Sequence, residues 1–177
     1  MKMLKKLLAV VLTGAMALTL FTACGSNAVR DKDIADALNN IVKLNDSEVT
    51  FTPRAKEREM AQKVAALLES HSEDDSNSAE LSAKIQGILG IDQGGVNENN
   101  FVWVQNALTD KLGAEGQAFQ VMESLTDKGG AYNFSSLGSK EPADTRYMGT
   151  ALCKIPDQKD NLVTVRVIVV TAEAVDE

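Results

Sequence analysis

Apolar residues recur along this chain in two different periods, and the change from one to the other divides it. From Asp31, the positions Ile34, Leu38, Ile41 and Val42 return every three to four residues, the spacing that gathers side chains on one face of an α-helix. "NDSEVTF" ends that pattern, and Val49–Phe51 predicts a brief extended stretch. "TPRAKEREMAQKVAALLES" predicts a second helix. Thr52 is placed to cap free backbone amides, and Pro53 suits a first helical position, where no donor is needed. Met60, Val64, Leu67 and Leu68 form one face of it, with Ala61 and Ala65 beside them. After the polar loop "SEDDSNS", a third helix is expected from Ser78 to Leu89, with Asn77 and Glu80 at capping-box spacing and Gly90 as a stop.

The second half leans to the two-residue period. "FVWVQ", after the loop "DQGGVNENN", favours a strand by its β-branched and aromatic content, although "FVWVQNALTDKL" also accommodates a helix. "AEGQAFQVMESLTDK" predicts a helix with Phe119, Met122 and Leu125 facing inward, and "GGAYNFSSLGSKEPAD" a long loop. "RYMGTALCKI" and "NLVTVRVIVVTAEA" then read as strands joined by "PDQKD", a linker of hairpin length. "VRVIVV" is apolar at nearly every position, which places it centrally and covered on both faces. Helices early and an antiparallel pair late predict an α+β domain over 31–177, with helices packed on an antiparallel sheet that ends in a C-terminal hairpin.

Residues 1–23 follow neither period. A basic "MKMLKK", the mostly apolar "LLAVVLTGAMALTLF" and small residues around Cys24 make the three-part form of a secretory signal. The apolar run is short of the roughly 20 residues a membrane span needs. Phe21, Thr22 and Ala23 before Cys24 resemble a bacterial lipobox, with Phe21 where leucine is usual. That resemblance implies cleavage before Cys24, a diacylglycerol of palmitate type on its thiol, residues 24–30 as a lipidated tether, and a lipid-anchored lipoprotein on the extracytoplasmic face of the cell membrane. An ordinary signal peptide or an uncleaved anchor are the alternatives. Two or more acyl chains hold a protein stably where one holds it marginally.

Charge and cysteine count narrow the chemistry. Three of the 18 Lys and Arg residues precede Cys24 and all 25 acidic residues follow it, so the chain from Cys24 carries 15 basic against 25 acidic groups, about −10. That balance argues against nucleic acid as a partner and against adhesion to anionic lipid through the protein surface. Lipidation of Cys24 leaves Cys153 without a disulfide partner, and its apolar, strand-like surroundings predict a buried, inert thiol. Phosphate-loop, zinc-cluster and nucleophile-elbow patterns are absent from the sequence, and no cofactor or resident metal is expected.

His71 is the single histidine, set beside Ser72, Glu73, Asp74 and Asp75. It reads as a solvated helix-end cation, as a remnant groove residue paired with Glu98, or as a working ligand or base. The order of segments resembles the CAP (SCP-like) superfamily of secreted α-β-α sandwich proteins. "FTPRAKEREMAQKVAALLES" is similar to that family's second helix, "SHSEDDSNS" to its histidine loop, "GGVNENN" to its Gly-Glu-Asn segment, and "TRYMGTALCKI" to its closing strand. The resemblance implies a groove holding His71, Glu98 and an aspartate, Asp74 or Asp75. The family's second histidine is missing, and Lys128 stands near its place in "VMESLTDKGGAYN", a cation that opposes a metal. A degenerate CAP-like domain serving as a non-enzymatic binding or interaction module follows, its ligand an envelope protein, a wall polymer or a small apolar molecule. The alternative is a metal-assisted or His/Glu acid–base hydrolase of the cell envelope. Trp103 and Tyr147 read as packing residues, as do Tyr132 and Phe134, unless exposed groups there mark a contact surface.

Overall fold

The computed structural model describes residues 29–44, 47–70, 78–91, 99–109, 112–126, 140–156 and 161–176. Cys24, His71, Asp74, Asp75, Asn77, Glu98, Lys128, Tyr132 and Phe134 lie outside them. The described elements are α1 (Asp31–Leu44), β1 (Thr50–Pro53), α2 (Ala55–Ser70), α3 (Ser78–Leu89), β2 (Asn100–Thr109), α4 (Ala114–Thr126), β3 (Lys140–Pro156) and β4 (Leu162–Asp176). The α+β class is observed.

The sheet runs β1-β3-β4-β2, with β3–β4 and β4–β2 antiparallel. β1 joins β3 in parallel, pairing Thr50 with Thr145 and Pro53 with Met148, so the sheet is mixed and not antiparallel throughout. A two-residue turn cannot join parallel neighbours. The chain therefore leaves β1, crosses through α2, α3, β2 and α4, and returns to β3 much later. A hydrophobic pattern sets which strands exist but not this long-range pairing.

β4 sits between β3 and β2, and Val167, Ile168, Val169 and Val170 are all fully buried, as the unbroken apolar run predicts. Its alternation serves two cores. Ile168 and Val170 pack with Trp103, Met148, Phe51, Ile34 and Leu38 of α1, and Ala118 and Val121 of α4. Val165, Val167 and Val169 pack with Cys153, Val102, Ala61, Val64 and Leu68 of α2, and Leu89 of α3. Helices thus cover both faces, and each fully buried aliphatic side chain contributes about 1.5–3 kcal/mol. Cys153 lies inside the second core, where burial pushes its thiol up to about 11, as an inert residue requires.

Several local expectations are corrected. Thr52 and Pro53 belong to β1, and α2 begins at Ala55. The amide of Arg54 still donates to Met148 O at 2.9 Å, so pairing with β3 outlasts Pro53, and Arg54 O then accepts the first helical bond from Arg58. In α2 the buried stripe is Ala61, Val64, Ala65 and Leu68, with Met60 and Leu67 on its flanks. In α4 Phe119 is 64% exposed, because Ala118, Val121, Met122 and Leu125 at three- and four-residue steps form the inward face. "FVWVQ" is strand, and β3 begins at Lys140, inside the stretch expected to be loop. Gly90 ends α3 with φ 69°, as a C-terminal stop requires.

Candidate functional site

The groove expected from His71, Asp74 and Glu98 falls on residues outside the description. Their described neighbours hold opposite ends of the β3–β4 hairpin. Glu69, near the end of α2, accepts the backbone amide of Lys154 at 2.8 Å, and Lys154 is in register with Thr164. Asn100, which opens β2, is in register with Glu173. From Thr164 to Glu173 is nine residues along β4, roughly 30 Å at the rise of a strand. Among the described residues, no three His, Cys, Asp or Glu side chains come together as around a metal ion.

What the described residues do form is a cavity of about 370 Å³ on the α1/α4 face of the sheet, at its β1 edge. Val42 from the last turn of α1, Ser47 and Val49 from the link, and Phe51 from β1 make one wall. Met122 and Leu125 from α4 make the second, and Pro142 and Arg146 from β3 the third. It exists because the sheet is short here. β1 contributes only four residues, and β3 advances from Pro142 to Arg146 while its partner advances only from Ala174 to Ala172. Such an irregularity bends a strand and re-aims its side chains.

Asn39 of α1 fixes the backbone of Phe51. Its side chain accepts from Phe51 N at 2.7 Å and donates to Phe51 O at 2.9 Å, taking the place of a further strand on the free edge of β1. Ser47 N donates to Val42 O at 3.1 Å, which returns the chain towards β1. The lining is therefore drawn from α1, the link, β1, α4 and β3. Arg146 is its one charged group, half-buried and in register with Phe51. Burial lowers its pKa and the nearby Asp144 opposes that, but a guanidinium stays charged at neutral pH.

Two polar clusters fasten α2 to the sheet beside this region. In the first, Glu57 is fully buried and receives Arg54 in a bidentate pair and Thr171 Oγ1 at 2.7 Å. Arg54 also lies over the Tyr147 ring, 3.7 Å from its centroid. Burial alone would raise the Glu57 carboxyl; the hydrogen bonds from Arg54 and Thr171 outweigh it and hold the pKa below the ordinary value. In the second, Asp31 at the start of α1 accepts from Arg58 Nε at 2.8 Å and from Thr150 Oγ1 at 2.6 Å. The buried Arg166 donates to Thr150 Oγ1 and to Val29 O, both at 2.9 Å. These groups bind structure to structure: α1, α2, β3 and β4 meet at Asp31.

Sequence reasoning missed Arg146, Glu57, Arg58, Thr150 and Arg166 as a set. Arg166 carried a signal, a charge inside "VTVRVIVV", because a cation in a buried strand needs a partner. Arg146 carried none. Compared with known families, curated proteins and solved structures, the chain matches none.

Proposed function

We propose that this chain is a lipid-anchored extracytoplasmic protein whose domain, a degenerate CAP-like scaffold, binds a small apolar ligand and catalyses no reaction. The observation that carries the binding is the cavity of about 370 Å³, apolar on every wall apart from Ser47 and Arg146. Small-molecule sites are of this size and character, mostly hydrophobic with a few placed polar groups. The anchor rests on the three-part signal and Cys24. Support for the CAP-like reading is the succession of helix, short strand and helix, the closing hairpin, and helices on both sheet faces.

Denaturing extraction of the purified full chain, followed by mass spectrometry of the released small molecules, tests the binding. About one apolar molecule per protein is expected, and Met122→Trp should lower that several-fold, since the larger side chain fills the cavity from α4. A chain that releases nothing, or releases the same amount with Met122→Trp, rejects the reading. Cys24→Ala should move the protein from the membrane to the soluble fraction; a variant that stays membrane-bound rejects the anchor.

A further inference from the structure

We infer that two copies of this chain pair edge to edge through β2, antiparallel about Trp103, and so join their sheets into one. β2 is the outer strand of the order β1-β3-β4-β2, and one bond fixes where its backbone groups point. Ala174 N donates to Asn99 O at 3.0 Å, and the β2–β4 register sets these two residues opposite each other. Bonded pairs alternate along an antiparallel ladder, so Phe101, Trp103 and Gln105 turn their N–H and C=O towards β4. Val102 and Val104 turn theirs outward, and among the described residues none bonds to them there. On the opposite edge of the sheet Asn39 meets the same need at Phe51. Free edges are commonly guarded by a charge or a proline. β2 has neither: Asn100–Thr109 contains no Lys, Arg, Asp, Glu or Pro, in a chain that is 24% charged, and its bulge comes only after Gln105.

Symmetry and charge name the occupant as a second copy. With Trp103 on a two-fold axis, Val102 meets the partner's Val104 and Val104 meets the partner's Val102, so one operation matches both outward pairs. The chain is acidic, with a formal charge of −7, and repels its own copies over most of its surface. β2 is a stretch of ten residues where two copies meet without a charge on either side. The axis stands perpendicular to the sheet, so α1 lies on the same face in both copies and both chains enter from one side. Copies anchored through Cys24 as proposed above are thereby compatible with one membrane, where confinement raises their effective concentration. The pairing itself does not need the anchor.

Hydrogen exchange, read amide by amide on the full chain in detergent at about 1 μM and about 100 μM protein, tests this. The Trp103 amide, turned to β4 opposite Val170, should exchange slowly at both concentrations. The Val102 and Val104 amides should be fast in the dilute sample and about tenfold slower in the concentrated one, as sedimentation shows the mass double. Added salt should favour the dimer by screening two acidic copies from each other; a dimer that salt weakens is held by charge pairs and overturns the inference. Val104→Pro removes an outward N–H without breaking a bond to β4 and should leave a monomer, as should the edge charge of Val104→Lys. The exchange on the unmodified chain stands as evidence even if either variant fails to fold. Val102 and Val104 amides that exchange alike at both concentrations overturn the inference, and so does a dimer that survives Val104→Pro. Slowing that appears only when an extract of envelope proteins is added assigns the edge to another partner and overturns it too.

Discussion

Replacing Gly149 with alanine is expected to destabilise the protein by about 3 kcal/mol or more and to lower its melting temperature by roughly 10 °C. The first turn of α2 lies directly on β3 at this point. A Cβ on Gly149 would stand 2.0 Å from the backbone nitrogen of Arg58 and 2.4 Å from its Cα. Both obstacles are main chain, so no rotamer change relieves the clash; α2 would have to lift from the sheet. Lifting it would pull Glu57 from Thr171 and Arg58 from Asp31, and would loosen Ala61 and Val64 in the second core. The need here is for space, not for unusual backbone angles. Thermal or urea unfolding of Gly149→Ala against the unaltered chain measures it. A change below about 1 kcal/mol would show that the helix does not sit this close.

Gly149 also shows what could be read from the amino acids alone. The apolar stripe of α1, the hairpin and the central position of "VRVIVV" follow from local spacing, because burial leaves a periodic trace in a strand or helix. Gly149 is invisible that way: it sits mid-strand in "YMGTAL", and its reason is a helix more than eighty positions earlier. β1 illustrates the same limit. "VTFTP" signals an extended stretch, but its parallel pairing with Thr145–Met148 is decided by a crossover spanning most of the domain. Phe119 misleads in the opposite direction, since a large aromatic suggests core while the helical face is set by Ala118 and Val121. The candidate site was least legible of all. Its walls come from α1, the link, β1, α4 and β3, and its one cation is placed by a break in register that no motif announces.

Glu57→Gln is expected to cost about 2 kcal/mol at neutral pH and to remove part of the protein's acid sensitivity. Deleting one partner of a buried ion pair usually costs about 3–5 kcal/mol, because the other charge is stranded. Here the Arg54 side chain is 36% exposed, against 0% for Glu57, so water recovers part of that loss. Glutamine keeps the shape and can still accept from Thr171, which lowers the cost again. The pH dependence has a definite sign. Glu57 has a folded pKa below its ordinary 4.5, so its stabilisation is complete above that value and disappears as pH falls through the folded pKa. Other carboxylates titrate in the same range; Asp33, held down to about 2 by hydrogen bonds from Arg30, is one of them, although its exposure makes its contribution small. The informative quantity is therefore the difference between the two proteins' melting temperatures as a function of pH. That gap should be widest near neutrality and should close in acid, where the protonated glutamate and the glutamine carry the same charge and leave Arg54 equally unpaired. A gap that stays constant from about pH 7 to about pH 3 would mean that the carboxylate's charge is not what holds α2 to the sheet, and that Glu57 acts there by shape alone.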